Sequence, residues 1–303
     1  ETVLRYFEFM QKQIYKATGH CRYIDNLDGN PMDLVEFNED FIKAIDAVRE
    51  LDVMPSMRAL WTAGPALEFD NIAAYNCAYV AITEIKDFAD ILYILMNGAG
   101  VGFSVERDHI QKLPEVPKNI LPASGVITVY DSKQGWADAL RILFESIFYY
   151  SQLIDFNFKD IRPAGAPLKT FGGRASGPAP LNELLDFIKY AVMNAKGRKL
   201  NSVEVFDIVN KIANCVVSGG VRRSATISLS NLSDTRMRRV KEGQFYIEHP
   251  HRSLCNNSVA YTEKPDMGIF MEEWHSLFNN GTGERGIVNR EALTKTIPER
   301  RQA

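Results

Sequence analysis

Little in this chain suggests a membrane or a secreted fold. No run reaches the roughly 18 consecutive apolar residues of a transmembrane helix, and no charged-then-apolar leader opens it. Cysteine is scarce: Cys21, Cys77, Cys215 and Cys255 lie far apart with no CxxC pair. That spacing argues against a zinc site or a disulfide framework and for reduced thiols, so a cytoplasmic location and no metal ligation are expected. Net charge is also small, -3 from 35 basic and 38 acidic residues. A general nucleic-acid or membrane surface is therefore not indicated, and positive charge must act locally. The run Arg236-Met237-Arg238-Arg239-Val240-Lys241 is accordingly expected to be a solvated face. Internal repeats and low-complexity linkers are absent too. What remains is a 303-residue chain with 46% apolar residues, enough for a substantial core in one large domain or two smaller ones. It opens on Glu1 instead of Met, so a trimmed N terminus is expected.

Hydrophobic periodicity divides the chain. Residues 2–17 and 37–51 read as helices around a turn-rich Asp25–Pro31, giving an N-terminal helical region over 1–53. Cys77–Ile82 reads as a strand. A helix from about Glu84 follows, with Ile85, Phe88, Leu92, Leu95 and Met96 on one face and Gly98 as its stop, and then a strand over Val101–Val105. That is a βαβ unit with parallel pairing. Residues 106–160 read as an insertion, Pro-punctuated and carrying a helix with Trp136, Leu140, Leu143, Ile147 and Tyr150 at near-heptad spacing, an apolar stripe for which core packing is favoured. Leu181–Lys196 and Val203–Ala213 are predicted helices, the second with Ser202 as N-cap. Thr226–Leu229, Ser258–Tyr261 and Gly286–Asn289 bring the strands to about five.

Two glycine-rich loops carry the functional signal. They are Arg162–Pro178, with Lys169 and Arg174, and Ser218–Thr226, with Gly219, Gly220, Arg222 and Arg223. Glycine lets backbone N–H groups approach an anion, and Lys and Arg supply donors that match phosphate. Either loop alone is as readily an ordinary surface turn. Gly98-Ala99-Gly100-Val101-Gly102-Phe103 follows a helix and opens a strand, the reverse of the dinucleotide-binding order, which excludes NAD binding there.

These stretches, with Met54-Pro55-Ser56-Met57-Arg58, Asn76-Cys77, Asn256-Asn257-Ser258-Val259 and Gly283–Glu291, occur in the order found in ribonucleotide reductase catalytic chains. The chain most closely resembles the adenosylcobalamin-dependent class II type, in its monomeric ribonucleoside-triphosphate reductase branch. The resemblance implies the N-terminal half of a ten-stranded α/β barrel over 54–303, contributing about five parallel strands, with the insertion at 106–160 standing where dimeric relatives use a partner subunit. It implies that Cys77 is one of the two cysteines that close into a disulfide as the ribose is reduced. Ser56, Asn76 and the Ala99-Gly100 backbone correspond to substrate-binding positions. Lys169 and Arg174 correspond to the first loop of a deoxynucleotide triphosphate effector site, and Gly219, Gly220, Arg222 and Arg223 to the second, with Arg222 bridging effector and substrate and Arg223 as readily a structural ion pair. Cys21, Cys215 and Cys255 match no role and are expected to be structural.

The family's radical-bearing Asn-Pro-Cys-x-Glu loop does not occur in these 303 residues, nor does the start of an ATP cone. The expectation is an N-terminal piece of a split or longer reductase, from a bacterial or phage-infected cell. A complementary C-terminal chain would supply that loop and most adenosylcobalamin contacts, and a thioredoxin-type protein would be the reductant. A class I large-chain fragment and a non-catalytic nucleotide-binding regulatory protein are the alternatives.

Overall fold

The computed structural model describes residues 1–18, 39–167, 174–218 and 225–298. Cys21, Lys169, Gly219, Gly220, Arg222 and Arg223 lie outside the described residues. The chain divides into two compact units, Glu1–Asn76 and Cys77–Ala303.

The first unit holds the helices α1 (Thr2–Thr18), α2 (Glu39–Arg49), α3 (Met57–Thr62) and α4 (Pro65–Phe69), then a single 3-10 turn over Asn71–Ala74. Edge-to-face packing of Phe7 on Phe41, with centroids 5.9 Å apart, joins α1 to α2.

The second unit runs β1 (Cys77–Ala81), α5 (Asp87–Met96), β2 (Gly100–Ser104), α6 (Arg107–Ile110), β3 (Val126–Thr128), α7 (Lys133–Tyr150), β4 (Asp155–Asn157), α8 (Ala179–Asn194), α9 (Ser202–Ser218), β5 (Thr226–Asn231), α10 (Thr235–Arg238), α11 (Phe245–Glu248), β6 (Cys255–Tyr261), α12 (Met267–Asn280), β7 (Gly286–Asn289) and α13 (Arg290–Thr296). Its main sheet has the order β1-β2-β5-β6-β7, and every pairing is parallel. The α/β class and the five parallel strands expected from the sequence are both present.

Because side chains alternate along a strand, the sheet has two different faces. Val101 and Phe103 of β2 point into the core, where Phe103 lies 6.3 Å from Phe206 of α9. Helix α5 packs on α7 through the stacked rings of Phe88 and Phe144, 4.7 Å apart. Trp136, Leu140, Leu143 and Ile147 of α7 are buried in the same core, so that stripe is packing. The opposite face carries Cys77 and Tyr79 of β1, Gly100 and Gly102 of β2, Ile227 of β5 and Asn256 of β6, which are register neighbours. Cys77, Tyr79, Ile227 and Asn256 are all exposed. Parallel sheets normally have both faces covered, so an open face marks a site or an interface.

Three local expectations need correction. Val126–Thr128 and Asp155–Asn157 form a small parallel sheet inside the Pro-punctuated stretch; strands of three residues are too short to show a period. The N-cap of α9 is Asn201, not Ser202. Asn201 Oδ1 accepts from the backbone N–H of Val203 (3.0 Å) and Glu204 (3.1 Å), and Glu204 Oε2 accepts from Asn201 N–H (2.8 Å), a reciprocal capping box. Finally, the run Arg236–Lys241 is not simply solvated. Met237, Val240 and Lys241 are buried, Lys241 Nζ donates to the Cys255 carbonyl and to Glu284, and Arg238 Nε donates to the buried Glu273 at 2.9 Å.

Candidate functional site

Cys77 opens β1 with a free, exposed thiol on the uncovered face. Across from it in register is Gly100, and across from Tyr79 is Gly102. A Cβ on Gly102 would come within 3.3 Å of Tyr79 Cδ2 and 3.5 Å of Ile227 Cγ2, so a side chain there would crowd the tyrosine ring where it leans over β2. Gly98, at φ 75, takes the left-handed conformation that ends α5 and turns the chain into Ala99-Gly100. Ala99 is buried, and Val101 N–H, two residues on, donates to the Ala225 carbonyl at 2.8 Å. The result is a thiol beside two positions of β2, Gly100 and Gly102, that put no side chain on this face.

The other described cysteines differ. Burial pushes the Cys215 thiol up to about 12 and the Cys255 thiol up to about 11. Neither forms a thiolate near neutral pH, as structural cysteines should not.

The first unit holds two more of the expected substrate residues. Ser56 is the N-cap of α3, its Oγ accepting from Ala59 N–H at 3.5 Å, and Asn76 Oδ1 accepts from Arg58 Nε at 3.0 Å. Both are exposed. Of the expected effector residues, Arg174 is described. The base of its loop is closed by a short antiparallel ladder: Gly165 N–H donates to the Ala175 carbonyl (2.8 Å), Ala175 N–H to the Ala166 carbonyl (2.7 Å), and Arg174 Nη1 to the Gly165 carbonyl (2.9 Å).

Sequence reasoning missed a polar belt along the C-terminal ends of the strands. Glu106, just past β2, is buried and accepts two hydrogen bonds from Arg290, at 3.1 and 2.7 Å, which opens α13 after β7. Ser104 Oγ donates to Glu106 Oε2 (2.9 Å) and accepts from Glu106 N–H (3.1 Å), and His109 Nδ1 lies 2.7 Å from the same oxygen. Burial alone would raise the Glu106 carboxyl, but hydrogen bonds from Arg290 and Ser104 outweigh it and hold the group below its usual range. With Glu106 anionic, the one Ser104 proton goes to it, so His109 donates through Nδ1–H. Hydroxyl, imidazole and carboxylate do not make a nucleophile here, since Ser104 is fully buried and its proton goes to the carboxylate, not to the histidine. Further along, Arg107 N–H donates to Asn231 Oδ1 (2.7 Å), and buried Arg285 pairs with Glu273 (2.5 and 2.7 Å) and donates to Ser230 Oγ (2.9 Å). The signal for this belt was positional: residues just past parallel strands line the ligand side of open α/β sheets.

Comparison with known proteins gives this geometry a family. The chain is 32% identical over 294 residues to the adenosylcobalamin-dependent ribonucleoside-triphosphate reductase of Lactobacillus delbrueckii subsp. bulgaricus, covering 79% of this chain and 39% of that relative. It is 30% identical over 265 residues to the enzyme of the same name from Euglena gracilis, covering 84% and 34%. A crystal structure of a B12-dependent, class II ribonucleotide reductase superposes with a TM-score of 0.77 at 26% identity, covering 95% of this chain and 46% of that one. Residues 106–192 match the insertion domain of B12-dependent ribonucleotide reductases. The chain belongs to the class II ribonucleotide reductase family.

As a class II reductase chain it spans about two-fifths of the length of the curated relatives it matches. The insertion-domain match runs from Glu106 through β3, α7, β4 and most of α8, and includes Arg174. The α/β architecture with a five-stranded parallel sheet is that of the solved class II enzyme.

Proposed function

We propose that this chain is the N-terminal part of an adenosylcobalamin-dependent reductase that converts ribonucleotides, as triphosphates, to 2′-deoxyribonucleotides, with Cys77 as one of its two redox thiols. The observation that carries the reading is Cys77 itself, exposed on an open sheet face opposite Gly100, in a chain similar to such reductases. Replacing the ribose 2′-hydroxyl by hydrogen takes two electrons. Two thiols close into one disulfide, the hydroxyl leaves as water with a thiol proton, and the carbon gains hydrogen. Cys77 gives one thiol, and the second redox cysteine and the Asn-Pro-Cys-x-Glu loop come from the complementary segment. A thioredoxin-type dithiol then reopens the disulfide.

As the resemblance implies, adenosylcobalamin is assigned mostly to segments outside this chain, where it would supply the radical when bound. This chain's own part is to bind and orient. Ser56, Asn76 and the Ala99-Gly100 backbone hold the substrate; Lys169, Arg174, Gly219, Gly220, Arg222 and Arg223 hold a deoxynucleotide triphosphate effector, with Arg222 between the two. Residues 1–53 form a helical region, and 54–303 form the half-barrel with its insertion. Among the described residues no helix is long and apolar enough to cross a membrane, and a cytoplasmic, bacterial or phage-infected setting is the one proposed. Over the class I alternative, the insertion-domain match favours class II.

Replacing Cys77 by Ser tests this. Serine is nearly isosteric but forms no disulfide, so the assembled enzyme should lose multiple-turnover deoxynucleotide formation and keep nucleotide binding. Turnover sustained by a thioredoxin-type reductant in the variant would remove Cys77 from the mechanism.

A further inference from the structure

We propose that Tyr79 is a substrate-positioning residue, its ring forming the wall of the nucleotide site beside Cys77. The proposal rests on the reductase reading above. Tyr79 lies two residues beyond Cys77 on the same face of β1, so their side chains stand ~6.6 Å apart, twice the strand rise. A sugar ring against the Cys77 thiol fills that gap and meets the tyrosine ring. Gly100, paired with Cys77, puts no side chain opposite the thiol, and a Cβ at Gly102 would lie between Tyr79 Cδ2 and Ile227 Cγ2, at 3.3 and 3.5 Å.

The ring is unusual for a parallel sheet. It remains 52% exposed. Beneath this face lies the fully buried Ser104, which donates to Glu106, and Glu106 is in turn clamped by both terminal nitrogens of Arg290. Burial is the largest influence on the phenol and raises its pKa, so the ring stays neutral. An aromatic face that is open to ligand suits packing against the C–H face of a ribose.

In the assembled enzyme, protection of Cys77 from iodoacetamide by a ribonucleoside triphosphate reads this wall directly. Mass spectrometry of the Cys77 peptide gives the nucleotide concentration for half-protection. Tyr79→Ala should raise that concentration, and KM with it, by about tenfold, the loss of one packed aromatic contact. Tyr79→Phe keeps the ring and should stay within about threefold. Tyr79→Leu, which preserves bulk, should behave like Tyr79→Ala and guards against a folding defect. A purely structural tyrosine would lower the melting temperature without moving the half-protecting concentration. If wild-type Cys77 is protected and both Tyr79→Ala and Tyr79→Leu are protected equally well, the positioning role is wrong and the reductase reading stands. If no ribonucleotide protects wild-type Cys77, the reductase reading fails and this proposal with it.

Discussion

Three cysteines on one unit show how environment assigns a residue's role. Cys215 and Cys255 sit in the core, and burial raises their thiols to about 12 and about 11. Cys77 stands exposed at the start of β1. Among the described cysteines, Cys77 should be alkylated first near pH ~8, and the other two only on unfolding; mass spectrometry of a time course checks this, and early modification of Cys255 would contradict it. Glu273 makes a second case. Burial would raise its carboxyl, but Arg285 and Arg238 outweigh that and hold it below its usual range. A lowered folded pKa gives stability that is present above the unfolded value and lost as pH falls through the folded one. Glu273→Gln should therefore cost about 3–5 kcal/mol at neutral pH, with the gap to wild type closing below pH ~4; urea unfolding across that range measures it. Little of this was legible beforehand. Cys77 came from a resemblance of short motifs, but Tyr79 looks like any strand aromatic, and Glu106 and Arg290 are 184 positions apart.

Secondary structure was read more securely where elements are long. Helices α5, α7, α8 and α9 bury continuous apolar faces, so their existence and packing side follow from period alone. The ends were less clear, because caps depend on which side chain folds back. Ser202 and Asn201 are both good N-cap residues, and Glu204 decides between them, three positions after Asn201. Asn201→Ala should destabilise α9 by about 1 kcal/mol while Ser202→Ala, which removes a buried hydroxyl without a hydrogen-bond partner, should not. Thermal melts of the two variants distinguish them. The second glycine-rich loop, which follows α9, is assigned the effector signal. Arg222→Ala should blur the effector's control over which base is reduced more than it lowers the best rate, since a bridging residue contributes to a coupling of ~1–3 kcal/mol. Rates for four substrates under each effector would show this, and an unchanged preference table would move the bridge elsewhere.

At the scale of the whole molecule the open face dominates. Among the described residues β1 pairs only with β2 and β7 only with β6, leaving two sheet edges unpaired, while Tyr79, Ile227 and Cys77 face outward between them. We propose that a complementary polypeptide covers this face, through an interface on the order of 2,000 Å² or more. Size-exclusion chromatography coupled to a deoxynucleotide assay, run on this chain with and without a chain carrying the Asn-Pro-Cys-x-Glu loop, tests the central claim most directly. Alone, the chain should self-associate and show no turnover; with that partner, adenosylcobalamin, effector and a dithiol, it should become monodisperse and form deoxynucleotides. A stable monomer that turns over unaided would contradict the account.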